Sequence, residues 1–146
     1  MAKIKSIKGR QVFDSRGNPT VEAEIYTDNG LSASAIVPSG ASTGTHEAFE
    51  LRDKENKSYL GKSVLKAIKN VNEPIAKSLK DFDIGDQIKI DKTLIDLDGT
   101  EQKTKLGANA ILAVSVAACK LAAIEKNMSL FKHLGNTKNY QLPVPL

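Results

Sequence analysis

The stretch "VPSGASTGTHEAFELRD", residues 37–53, sets small residues and hydroxyls directly ahead of charge. Ser39, Ser42 and Thr43 carry hydroxyls, Gly40, Ala41 and Gly44 carry almost no side chain, and His46, Glu47, Glu50, Arg52 and Asp53 follow. A loop of this kind can cradle a phosphate, but a Walker loop ends in Gly-Lys-Ser/Thr and a dinucleotide loop needs three spaced glycines. "SGASTG" has neither. The functional reading that remains is a mobile lid over residues 38–45, whose carbonyl and hydroxyl oxygens can join a hard cation such as Mg²⁺. Composition alone favours the plainer alternative, an ordinary solvent-exposed loop.

Other reactive side chains are sparse. His46 and His133 are the only histidines, and neither has a second histidine at metal-ligand spacing, so both read as structural. Glu22 and Glu24 share the polar side of a strand and read as two solvated carboxylates rather than an acid/base pair. Cys119 is the single cysteine, which excludes an intrachain disulfide and a thiolate-based metal site. Its setting, "AVSVAACKLAA", suits a buried structural thiol. No Ser/His/Asp ordering forms a convincing triad. Taken alone, these residues assemble no catalytic site.

The elements that position them divide into a β third and an α remainder. "TVEAEIYT" (20–27) alternates, with Val21, Ala23 and Ile25 on one face. "LSASAIV" (31–37) follows with Leu31, Ala33, Ala35 and Val37 on one face, and "DNG" (28–30) between them predicts a tight hairpin. An earlier strand is expected near 3–8, although Ile4 and Ile7 do not alternate, and "DSRGNPT" (14–20) reads as a polar connection. Val64, Leu65, Ile68 and Val71 then fall at helical spacing. Pro74 predicts that this helix stops near Asn70, with Asn72 capping a second one. Residues 86–97 predict a short amphipathic segment on Ile88, Leu94, Ile95 and Leu97, ended by "DGT".

The last long helix, about 107–126, is apolar on most sides and crowded with small residues. Such a helix must be covered on more than one face. Either it lies centrally, or it packs against something outside this chain. The segment "YQLPVPL" reads as a linker or the start of a following domain, so the chain is expected to be the N-terminal piece of a larger polypeptide.

At 146 residues, 40% hydrophobic and 26% charged, the chain has the composition of one globular domain. Its net charge of +4 comes from lysines interleaved with acids, and aromatics are only 5%, so no nucleic-acid partner is predicted. The N-terminus lacks the apolar core of a secretory signal. The apolar run near 110–119 is shorter than the roughly 20 residues of a membrane span, and a cytoplasmic protein is the expectation.

In their order and spacing, "DSRGNPTVE" (14–22), "VPSGASTGTHEAFELRD" (37–53), "LDGTEQKTKLGANAILAVSVA" (97–117), "LFKHLG" (130–135) and "LPVPL" (142–146) closely resemble the N-terminal domain of the enolase family. The resemblance implies an α+β fold, a three-stranded antiparallel meander followed by helices, packed against a catalytic α/β barrel absent from this chain. Residues 1–138 would form that domain and 139–146 the linker into the barrel. The implied activity is that of a glycolytic lyase, phosphopyruvate hydratase, which reversibly dehydrates 2-phosphoglycerate to phosphoenolpyruvate. Proton abstraction beside a carboxylate builds up negative charge, and two Mg²⁺ ions per active site would offset it.

The resemblance puts the general base, the acid and the first metal's carboxylates in the barrel, so no catalytic residue is expected here. It assigns Ser39, Gly40, Ala41, Ser42, Thr43 and Gly44 to a loop that closes over substrate, with the Ser42 carbonyl and hydroxyl on the second Mg²⁺. Gly9, Arg10 and Glu22 would lie near a homodimer interface. The family resemblance also extends to cell-surface and secreted pools. A non-catalytic binding or scaffold module on the same fold is the rival reading.

Overall fold

Three strands open the fold: β1 (Ile4–Phe13), β2 (Pro19–Thr27) and β3 (Ser32–Val37), antiparallel in the order β1-β2-β3. The computed structural model describes residues 2–39, 44, 47–55, 57–135, 140–142 and 144. Val21, Ala23 and Ile25 are fully buried, as their period of two predicts. The hairpin after β2 closes through the Gly30 N–H on the Thr27 carbonyl at 3.2 Å, with Gly30 at a φ of 85°.

β1 runs to Phe13, well past the 3–8 expected. Its broken alternation has a cause: Ile4 pairs with Thr27 and Ser6 with Tyr26, so Lys5 is an extra residue in a bulge. The bulge lets Ile4 and Ile7, three apart in sequence, both reach the core.

The helices are α1 (Leu65–Asn70), a single π turn (Val71–Ile75), α2 (Ala76–Leu79), α3 (Gln87–Asp98), α4 (Ala108–Glu125) and α5 (Leu130–Leu134). Pro74 therefore does not split this stretch into two capped helices. The wider π turn accommodates the missing N–H and the ring, and the helical path continues into α2. Asn72 is not a cap. Its amide turns to β1, where Oδ1 accepts from the Gly9 N–H at 2.8 Å and Nδ2 donates to the Gly9 carbonyl at 3.2 Å. Gly9 suits this approach, because a Cβ there would sit 2.9 Å from Val71 Cβ.

The inward face of α3 also differs from the expectation. Ile90, Leu94 and Asp98 are buried, whereas Ile88 is 84% exposed and Ile95 about half exposed. Asp86 caps its start by accepting from the Lys89 N–H at 3.1 Å, and Gly99, at a φ of 68°, ends it as "DGT" predicts.

α4 settles centrally, across β2 and β3 on one side and against α1, α3 and α5 on others. Ala110, Ala113, Val114, Ala117, Ala118 and Leu121 are fully buried, and the alanines let the sheet approach closely. Its length and composition would pass for a membrane span, but half of it is buried inside the fold. Leu112 and Ile124 remain about half exposed. Cys119 is partly buried, and burial, with the charge of Asp91, pushes its thiol pKa up.

Candidate functional site

β3 ends at Val37, and the chain beyond it borders an open cleft of about 440 Å³. Val37, Glu47, Phe49, Glu50, Asn109 and Leu112 are among its walls. Gly40, Ala41, Ser42, Thr43, Thr45 and His46 lie outside the described residues, so the metal-ligand assignment of Ser42 falls there too. Ser39 and Gly44 are described, and the structure shows in detail how Ser39 is held.

The "DSRGN" connection is a built turn rather than a passive link. Asp14 Oδ1 accepts from the Arg16 and Asn18 N–H groups, each at 2.9 Å, and Gly17 turns the chain at a φ of 73°. The Asn18 N–H, joined by that of Arg16, holds the Asp14 carboxyl below the usual carboxylate range against the opposing pull of burial. So fixed, the turn directs Arg16 to the loop, where Nη2 donates to the Ser39 carbonyl at 3.2 Å.

The Ser39 hydroxyl donates to Glu50 Oε2 at 3.1 Å. Glu50 Oε1 accepts from Arg52 Nη2 at 2.8 Å. Arg52 Nη1 is anchored in turn on the Pro19 carbonyl at 3.1 Å and on the Lys62 carbonyl. Thr20 closes the end of β3 by donating its hydroxyl to the Val37 carbonyl. Sequence reasoning named Glu50, Arg52 and the "DSRGN" run without giving them this role. The signal available was a Glu and an Arg two residues apart, just after a hydroxyl-rich loop.

Segment 47–53 is strapped down along its length. Phe49 N–H donates to the Gln102 carbonyl at 2.7 Å, and the Phe49 carbonyl accepts from the Ala108 N–H at 2.8 Å. The Asn109 amide reads both backbone groups of Leu51, accepting at 3.2 Å and donating at 3.1 Å. Asp53, 4% exposed, then accepts from the Leu65 and Lys66 N–H groups at 2.6 and 3.1 Å, which caps α1 from outside its own helix.

The proposed interface residues lie apart from the cleft, on the outer face of the sheet. Arg10 and Glu22 are cross-strand partners joined at 3.1 Å, and Arg10 also pairs with Glu24. Glu22 and Glu24 are thus bridged by one guanidinium, which corrects their reading as merely solvated carboxylates. Bonds from Glu24 and Glu22 push the Arg10 pKa further up. Tyr26, then Arg10, hold the Glu24 carboxyl below its usual range, and Glu24 raises the Tyr26 phenol.

Hydroxyl and carbonyl oxygens are hard donors of the kind Mg²⁺ takes. Among the described residues no group of three or more His, Cys, Asp or Glu could hold a metal ion. A cation drawn to this loop would need further ligands from outside the described residues.

The family model "Enolase, N-terminal domain" matches residues 4–134. An enolase from Pelagibacter ubique (strain HTCC1062) is 64% identical over all 146 residues, which span 35% of that relative's length. A three-stranded antiparallel meander followed by helices agrees with the family match, and the chain belongs to the enolase family as its N-terminal domain.

Proposed function

We propose that this domain serves an enolase, a lyase that reversibly removes water from 2-phosphoglycerate to give phosphoenolpyruvate, and that it supplies the loop closing over the active site. The observation that carries this reading is the anchored root of the 37–44 loop beside the cleft, in a domain 64% identical to an enolase. Closure excludes water from the reacting groups and brings the Ser42 hydroxyl and carbonyl towards them. Mg²⁺, when bound, offsets the negative charge that develops as the proton leaves carbon. The proton-transferring groups belong to the part of the polypeptide beyond this chain. Arg10 and Glu22, on the outer sheet face, are proposed contacts of a homodimer, and the cytoplasm is the proposed location.

The test is phosphoenolpyruvate formation by the full-length polypeptide with 2-phosphoglycerate and Mg²⁺. Wild-type protein is expected to turn over, and Ser42→Ala to raise the Mg²⁺ requirement and lower turnover. Loss of one charge-assisted contact corresponds to an effect of about 10- to 150-fold. Absence of wild-type turnover would refute the reading in favour of a binding module.

A further inference from the structure

We infer that Glu50 is a positioning residue for this reaction, because its carboxylate fixes where the loop leaves β3 by holding Ser39 on one oxygen and Arg52 on the other. The inference rests on the loop-closing role just proposed.

Arg52 is a fixed point. Its side chain is 14% exposed, and its guanidinium is tied to carbonyls of two separate segments, Pro19 at the start of β2 and Lys62 before α1. A charge-assisted pair so enclosed is screened less than one on the open surface. Glu50 transmits that fixed point to the Ser39 hydroxyl, while Arg16 holds the Ser39 carbonyl from the opposite segment. The carbonyl and the hydroxyl of the residue before Gly40 are therefore both held, and Pro38 ahead of it has a ring-locked φ.

Ser42 follows Ser39 by three residues in sequence, so the direction in which the chain leaves Ser39 bears on where the Ser42 oxygens can reach. Metal-ligand distances tolerate only about 0.2 Å.

The experiment measures kcat, KM for 2-phosphoglycerate and Mg²⁺ half-saturation in the full-length protein, with thermal unfolding alongside. Glu50→Ala is expected to lower kcat/KM by about 10- to 100-fold, with the unfolding midpoint within a few degrees of wild type. Ser39→Ala is expected to act through the same bond, so the double variant loses far less than the product of the two single losses. Ser39→Thr, which keeps the donor, is expected to recover activity. Full multiplication of the two losses, wild-type kinetics in Glu50→Ala, or a change confined to the unfolding midpoint would each overturn the proposal. Amide exchange at Val37 and Ser39, the residues either side of Pro38, gives a reading independent of turnover. Faster exchange there in Glu50→Ala supports the anchor even if the wild type proves inactive, and unchanged exchange refutes it.

Discussion

Asp98, 2% exposed, commits both carboxylate oxygens to the loop that follows α3. Oδ1 accepts from the Thr100 N–H at 3.0 Å and from its hydroxyl, and Oδ2 accepts from the Leu106 N–H at 2.7 Å. Burial works to raise its pKa, but the Thr100 and Leu106 bonds together outweigh it and hold the carboxyl below its ordinary 3.8. A group depressed on folding stabilises fully above its unfolded pKa and stops doing so as pH falls through the folded value. Unfolding followed by circular dichroism should therefore show a loss of stability beginning near pH 3.8 and continuing below it, and Asp98→Asn should flatten that limb. Asp98→Ala leaves the Leu106 N–H unpaired and should cost about 3 kcal/mol, or roughly 6–12 °C in Tm. Asp53→Ala, which uncaps α1, should cost less, about 1–2 kcal/mol.

The strap over residues 47–53 and helix α4 hold each other. Gly107, at a φ of 92°, starts the helix where a Cβ would stand 2.6 Å from both Leu51 Cβ and Asn109 Oδ1. Gly107→Ala should destabilise the chain by about 2–4 kcal/mol, the sum of positive-φ strain and overpacking, and chemical denaturation would measure it. Asn109→Ala should cost about 1–3 kcal/mol by leaving the Leu51 backbone unpaired. Much of this scale was legible in the residues: a period of two gave β2 and β3, and an all-round apolar composition gave a helix needing cover on several faces. The bulge at Lys5 was not, because one unpaired residue looks like failed alternation. Pro74 misled because the breaker rule is local, while Val71 and Ile75 bury their side chains and carry the helix through. On α3, Ile88 and Ile95 lie off the face that meets the core, and composition does not say which side that will be. The Arg16–Ser39–Glu50 chain escaped notice because its partners are 23 and 11 residues apart, joined only once the sheet and the strap have formed.

For the whole molecule, the chain spans 35% of the length of its Pelagibacter relative, so most of an enolase lies beyond it. The 146-residue chain by itself should form no phosphoenolpyruvate from 2-phosphoglycerate with Mg²⁺, and any turnover above a blank would place proton-transferring groups within this domain. The sheet has its own consequence. β1 is an edge strand, and a bare edge is a template on which a foreign strand can add. The Asn72 amide occupies part of that edge, offering one acceptor and one donor to Gly9 as a neighbouring strand would. Gln11 Oε1, likewise on β1, accepts from the Val64 N–H at 2.9 Å, so the segment leading into α1 is also bonded to this strand. A side-chain amide thus impersonates a strand that the fold does not have. The π turn that tolerates Pro74 also carries Asn72, so the turn that keeps the helical path continuous also covers part of the edge on which another strand could add.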